Sequence, residues 1–446
     1  MKKIVLFFTL FGTIFLSSGD IRTQIPTRSE QNALAVQGHR SAMMYPLPEE
    51  PTLIDYEKAM LSDNPSIRAV YGAWQAELKK IAVVRGLPDP TIQFGYFIQN
   101  IETAVGPQEY KIGVMQMIPW IGKLIVQGDI QALNAEAVYQ KFQSEIDDRL
   151  LRLRNLYYDA YYLERAVDVT RENINLVKNW EGVILSKYKT GKAQHANLIK
   201  TQIEAVKLQD DLESLLAERK PLLAGFHALL NRSDIERIFV PDSLEYKSFS
   251  YTKEDVASMV LENNPSLKRS YLMKETAGKG VTRARLNYFP DFSIGIDRIF
   301  TGDKWNAMGQ PVAESGKDPL VVMGSVSIPL WFNKQAAGVG AAEYLEKKAE
   351  AEVEVQENSV RVELEKIWFE LKDADRKVVL YREVLVPKSL ESLRSSEKAY
   401  IGDEADFLDL IDAQRRYLEF MLASERALVR HQKAWARLEA LAGRTL

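Results

Sequence analysis

Not one of the 446 residues is a cysteine, which excludes a disulfide framework and a lipid-modified N-terminal cysteine. Charge of one sign is missing too. Lys+Arg number 58 against 61 Asp+Glu, a net of −3 with no polybasic arm, so nucleic acid is not an expected partner. Histidine is scarce: His195, His227 and His431 stand alone in helical pattern, and there is no His-x-x-x-His pair. No Gly-rich phosphate loop or Ser-His-Asp arrangement appears either, so neither an enzyme activity nor a cofactor is expected. Long apolar runs are absent beyond the first, Ile4 to Leu16, which follows Lys2-Lys3 and precedes Ser17-Ser18-Gly19. That is the layout of a secretory signal peptide over residues 1–19, and it falls short of the ~20 apolar residues a spanning helix needs. The whole sequence is 46% hydrophobic, enough to bury a core.

What is present is a duplication. Ala59-Met-Leu-Ser-Asp-Asn-Pro-Ser66 returns as Ser258-Met-Val-Leu-Glu-Asn-Asn-Pro-Ser266. The later landmarks follow in the same order: Pro88-Asp89 and Pro290-Asp291, Pro119-Trp120 and Pro329-Leu-Trp331, Tyr188-x-x-Gly191 and Tyr400-x-Gly402, Ala228-Leu-Leu-Asn-Arg232 and Ala440-Leu-Ala-Gly-Arg444. The offset grows from 200 residues at the Asn-Pro pairs to 212 at the final arginines, which predicts a longer loop between the second pair of strands. So long a period is not a solenoid period; it reads as a duplicated structural half.

Residues 20–50, with Pro26, Pro46 and Pro48 among polar residues, read as an extended lead-in. The first repeat is set at 51–232, with a strand hairpin at 91–118 and a helical hairpin at 122–230. A linker at 233–250 leads to the second repeat, 251–446, with its strand hairpin at 292–328 and helical hairpin at 335–442. In the strands Ile92, Phe94, Tyr96 and Ile98 alternate with Gln93, Gly95 and Gln99, and Phe292, Ile294 and Ile296 with Ser293, Gly295 and Asp297. About nine residues per strand suffices to cross a bilayer with tilt, although a soluble sheet with one wet face shows the same alternation. From Ile130 to Glu181 there is neither glycine nor proline. Leu153, Leu156, Ala160, Leu163, Val167, Thr170, Ile174, Val177, Ile184 and Tyr188 make a coiled-coil seam that only Glu181 breaks. Val353, Val360, Leu364, Ile367, Leu371, Ala374, Val378 and Tyr381 make its counterpart. The expected fold class is mostly α with a β part, in duplicated αββαα halves, and a transmembrane place for the β part is what the resemblance described next implies.

In this order of elements the chain resembles the TolC family of outer-membrane efflux proteins over nearly all its mature length. The Asn-Pro-Ser turns, the strand exits Pro119-Trp-Ile-Gly-Lys123 and Pro329-Leu-Trp-Phe-Asn333, and Tyr400-x-Gly402 followed by Phe407-Leu-Asp-Leu-Ile-Asp-Ala413 carry the likeness. The resemblance implies a homotrimer whose twelve strands close a barrel among the lipids of a Gram-negative outer membrane, continuous with a periplasmic helical tunnel. It implies an exit duct for small molecules or ions, performing no chemistry, with a periplasmic adaptor and an inner-membrane pump as partners. Within that class heavy-metal efflux (Cu/Ag or Co/Zn/Cd type) and type I secretion stay open. A secreted structural or adhesive coiled-coil protein with a small soluble sheet is the alternative from another class.

Asp409 and Asp412, on one helix face at i, i+3, match the paired aspartates of the family pattern Leu-Asp-x-x-Asp-Ala, which ring the periplasmic entrance. In a trimer they would form two rings of three carboxylates, with Asp403, Glu404 and Asp406 adding negative charge at the same mouth. A solvated helix face is the competing reading. The first copy has Asn197 and Lys200 in the equivalent places. Tyr188, Lys189, Gly191, Tyr400 and Gly402, at the ends of the helical hairpins, are the expected partner contacts, or else simply turns. Met115 and Met117 share a strand face, and His39 with Met43-Met44 makes another soft-donor cluster that would suit Cu(I) or Ag(I). Methionine as a packing residue competes, and no metal site is assigned.

Overall fold

A computed structural model describes residues 28–40 and 44–444. The expected signal peptide, Met43 and the side chain of His39 lie outside the described residues. Each repeat begins with a short helix, α2 (Leu53–Asp63) or α6 (Lys253–Asn263), then a longer one, α3 (Pro65–Arg85) or α7 (Pro265–Leu286). The strand pairs follow: β1 (Thr91–Glu102) with β2 (Pro107–Ile118), and β3 (Asp291–Thr301) with β4 (Leu320–Ser327). Together they form one antiparallel sheet in the order β1-β2-β3-β4. The loop at 302–319, set against the turn at 103–106, accounts for most of the difference in length between the copies.

The helical hairpins are α4 (Ile121–Lys189) with α5 (His195–Leu230), and α8 (Phe332–Val379) and α9 (Val386–Ile401) with α10 (Phe407–Ala442). At 69 residues α4 is a single rod of roughly 100 Å at 1.5 Å per residue. Its predicted seam is buried at Leu153, Ala160, Leu163, Val167, Thr170, Ile174, Val177 and Ile184. Where Glu181 breaks the pattern, the neighbouring Trp180 is buried and its indole N–H donates to Glu397 at 2.9 Å. The second rod is not one piece. A π-helical turn, Leu380–Leu385, precedes Pro387 in the first turn of α9, where the missing N–H and the ring's clash with the carbonyl four residues back widen the helix.

Helices α3 and α5 both lie beside α4, while α7 and α10 lie beside α8. The duplicated asparagine joins each of these pairs end to end. The side-chain oxygen of Asn64 accepts from the N–H groups of Ser66 and Ile67, capping α3, and its amide donates to the Leu229 carbonyl at the end of α5. Asn264 caps α7 through Leu267 N–H and donates to the Leu441 carbonyl of α10, again at 2.8 Å. The incoming helices end in left-handed residues, Asn231 at φ 51° and Gly443 at φ 62°, which turns the backbone aside at the joint. Each asparagine therefore satisfies free helix ends on both sides of a break.

The lead-in is not wholly extended. Arg28–Arg40 forms a helix, α1, bound to α4 by Arg28 on Asp147 and Asn32 on Gln143 and Tyr139. Ala35 is fully buried, and a Cβ at Gly38 would lie 1.8 Å from the Ser62 carbonyl oxygen. The apolar contacts of α1 come from the consecutive Leu34, Ala35 and Val36, which leave no helical period to read. Nearby, the buried Arg154 joins Glu57 of α2 to Glu439 of α10 and so ties the two repeats together. Burial alone would lower Arg154, but the two carboxylates outweigh it.

Two outcomes follow from these contacts. Replacing Asn64 or Asn264 by alanine removes a cap and strands a buried carbonyl, an expected loss of about 2 kcal/mol each, read as a lower melting temperature. An aspartate, which keeps the cap acceptor and lacks the donor, should recover only part. The second concerns Asp147, which burial pushes up to about 6 against the pull of Arg28. Because the folded chain retains a proton that the unfolded chain releases near 3.8, stability from this group falls as pH rises from about 4 to about 6. Asp147→Asn removes that slope, so melting curves of mutant and wild type should shift relative to each other by a few degrees between pH 5 and pH 7.5. An equal difference at both pH values would contradict it.

Candidate functional site: strand faces and helical tips

The register puts Ile92, Val114, Ile296 and Val322 in one row across all four strands. Their exposures are 75%, 49%, 49% and 73%. Phe94 and Ile112 continue this face above, and Phe292, Ile118 and Val326 below, all of them exposed. Among the described residues no element covers this apolar face. Phe289 and Trp120 stack at the base of the strands, rings 5.0 Å apart, with Trp331 and Phe332 exposed at the other strand exit. At the same joint Lys123 binds Asp291 at 2.8 Å, and Asp291 also accepts from Trp120 N–H, fixing α4 to β3.

The opposite face carries Gln93, Gly95, Lys111, Gly113, Met115, Met117, Ser293, Gly295, Asp297, Met323 and Ser325. Its charges are paired: Lys111 lies 3.0 Å from Asp297, whose side chain is only 5% exposed. Glycines make the space. A Cβ at Gly113 would come within 1.9 Å of the Asp297 carboxylate, and one at Gly95 within 3.1 Å of the Lys111 chain.

At the far end, the two hairpin tips are bound to each other. Lys187, at the end of α4, donates to the carbonyls of Tyr400 and Ile401 and to Asp403, while Lys192 reaches Asp403 at 3.0 Å. These hydrogen bonds, that of Lys187 first, hold Asp403 below the usual carboxylate range. Asp403 sits at φ 62°, a turn conformation that aspartate tolerates better than most residues. Farther along, Arg415 of α10 binds Glu204 of α5 at 2.6 Å.

The acidic residues singled out in the sequence thus divide by role. Asp403 bridges the tips, and Asp406 caps α10 through Phe407 N–H. Asp409 and Asp412 are exposed in the opening turns of α10, and Glu404 is exposed beside them. Of the tip residues, Tyr188, Lys189, Gly191 and Gly402 are exposed. Tyr400 is not: at 7% exposure it packs against Phe407 inside the tip core, so its side chain is unavailable to a partner. Lys187 and Lys192 escaped the sequence reading because a lysine near a turn carries no sign of a partner more than 200 residues away. Met115 and Met117 are not core packing, since Met115 is half-buried and Met117 exposed.

No protein-family model matches the chain. Toxin and drug export protein A of Aggregatibacter actinomycetemcomitans is 23% identical over 283 residues, 62% of this chain but only 58% of that protein's length. Among solved structures, the outer membrane protein VceC of Vibrio cholerae superposes with a TM-score of 0.71 at 13% identity, over 88% of this chain and 96% of its own. The outer-membrane channel OprN gives 0.70 at 16%, over 95% and 98%. The MtrE outer membrane channel of Neisseria gonorrhoeae, in its open state, gives 0.69 at 14%, over 88% and 89%. The chain has the fold of these outer-membrane channels.

The bridge between the tips is testable. Exposed ion pairs are individually weak, so Asp403→Ala should speed amide hydrogen exchange at 187–192 and 399–404 by only about a few-fold. The rest of α4 should be unaffected, and the difference should shrink in high salt. Unchanged exchange would leave the bridge without energetic weight.

Proposed function

We propose that this chain, with the fold of TolC-type outer-membrane channels, is the exit duct of a tripartite efflux system in a Gram-negative outer membrane. The uncovered apolar face of the sheet carries the reading. In water it would cost about 25 cal/mol for each Å² left exposed, whereas against hydrocarbon it is at home. Strands β1 and β4 are the two edges, so one chain alone leaves rows of backbone N–H and C=O groups unpaired in lipid. Copies joined β4 to β1 in a ring satisfy both edges. Two copies give eight strands, whose interior side chains fill; three give twelve and leave a lumen, which the small residues Gly95, Gly113, Ser293, Gly295 and Ser325 widen. The edge helices support the same ring, with exposed apolar stripes Ile199, Ile203 and Val206 on α5 and Val355, Val362 and Phe369, at heptad spacing, on α8.

The helices extend this ring into the periplasm, and the tips are its inner mouth. Asp409 and Asp412 stack there as two rings of three carboxylates, attracting cations. Tyr188, Lys189, Gly191 and Gly402 are the surface offered to a periplasmic adaptor, which couples the duct to an inner-membrane pump. Small molecules or ions are the cargo, and the duct itself supplies no chemistry.

Protein purified from outer membranes should form channels in planar bilayers that prefer cations and are blocked by multivalent cations. Replacing Asp409 and Asp412 together by alanine should shift the reversal potential toward zero and weaken the block, while replacing Asn197 and Lys200 should leave the block in place. An unchanged double variant would mean that the aspartates face outward. Absence of any channel, with the protein released from membranes by carbonate, would favour a soluble structural protein.

A further inference from the structure

We infer that the wall of the helical tube holds a binding cleft for amphipathic organic anions, sulfonates or carboxylates with an apolar body, whose charged end is held by Arg426 and Arg430 of α10. The inference rests on the duct reading, since it takes this cleft as part of the lumen. Helices α4, α8 and α10 border a cleft of about 990 Å³, within the size range of small-molecule sites. Arg426 and Arg430, one turn apart on α10, line it and are exposed. The other cations there are already matched: Lys433 binds Asp159, Arg437 binds Glu363 and Glu370, and Lys377 binds Asp373. Among the described residues no carboxylate pairs with Arg426 or Arg430. Arg426 instead donates to the Tyr162 hydroxyl at 2.8 Å and lies over its ring. Glu419 stands one heptad before Arg426 and pairs with neither arginine among the described residues. Beside the two arginines Tyr381, Leu422, Ala423 and Ala427 give the cleft an apolar stretch.

Two observations support a place for this cleft inside the tube. Asp412, Glu419, Arg426 and Lys433 recur at intervals of seven along α10, the repeat that keeps one face of a coiled coil in line, so the cleft shares a face with an aspartate of the inner mouth. The other side of α10 is covered. Gln432 donates to the Glu245 carbonyl at 2.9 Å, and His431 and Trp435 pack against Tyr246 and Phe249 of the linker. Twelve helices about 10 Å apart leave a free radius of roughly 13 Å, which three further layers of chain would nearly fill, so the linker belongs outside. From Asp412 to Arg426 the helix rises about 21 Å, well beyond the ~8 Å over which charges act through saline. Acidic mouth and basic cleft therefore act independently. An anion delivered past the mouth meets the arginines and has the carboxylate rings behind it, opposing its return.

The test uses the purified oligomer and naphthalene-2-sulfonate, with inorganic sulfate as an anion that lacks the apolar body. Equilibrium dialysis against the oligomer in lipid nanodiscs, corrected for empty discs, should find one naphthalene-2-sulfonate per chain. Arg426→Gln with Arg430→Gln should weaken that binding at least tenfold while the oligomer stays intact. In planar bilayers the sulfonate should block current through the wild-type channel, and the half-blocking concentration should rise by the same factor in the double variant. Block by multivalent cations, which depends on Asp409 and Asp412, should not change in it. Equal binding by the double variant, or equal binding of sulfate and naphthalene-2-sulfonate by the wild type, would overturn the site. Binding without block of a working channel would put the cleft outside the lumen and overturn the inference too. Absence of any channel would sink the duct reading beneath it, and the lumen assignment with it.

Discussion

Backbone groups in hydrocarbon must be paired, and four strands in a row cannot pair their own edges. In the proposed duct most of the molecule answers to that constraint. The sheet presents an apolar row, Ile92-Val114-Ile296-Val322, to one side and glycines, serines and a recessed Lys111–Asp297 pair to the other. Among the described residues no helix covers the apolar face. In the proposed duct closure comes from other copies, and the duplication makes it regular: each repeat adds one strand hairpin above and one helical hairpin below.

The helices keep that regularity through the asparagine joints. A continuous partner for α4 would need the chain to run without interruption past the point where it enters and leaves the strands. Instead two separate helices, α3 and α5, are set end to end, and Asn64 binds both free ends at once. Asn264 repeats the arrangement for α7 and α10. The proline after each asparagine suits a first helical position, where no N–H is needed. A motif that looks like a helix stop is therefore a splice, and the left-handed Asn231 and Gly443 are its other half.

Regular features were legible in the sequence because they repeat at short range. The seams of α4 and α8, the strand alternation and the order of the duplicated landmarks needed only a period or a comparison of the chain with itself. The features that were hidden depend on residues far apart. Helix α1 is held by Arg28 on Asp147 and by Gly38 beneath Ser62, and neither contact marks the sequence locally. Tyr400 and Asp403 looked like surface residues of a turn, yet one is packed against Phe407 and the other is bound by two lysines of the first repeat. The π-helical turn ahead of Pro387 was hidden differently, since Pro221 sits inside α5 and that helix continues through it. Which face of each strand is apolar was visible at once; that no described residue covers it required the packed structure.

Ring closure is most directly tested by electron cryo-microscopy of the protein extracted from outer membranes into a lipid nanodisc. The expected result is a threefold ring in which β4 of each copy is hydrogen-bonded to β1 of the next, with Ile92, Val114, Ile296 and Val322 facing lipid and Met115, Gly295 and Asp297 facing the lumen. A sheet whose edges stay open, or whose apolar row is covered by protein, would contradict it.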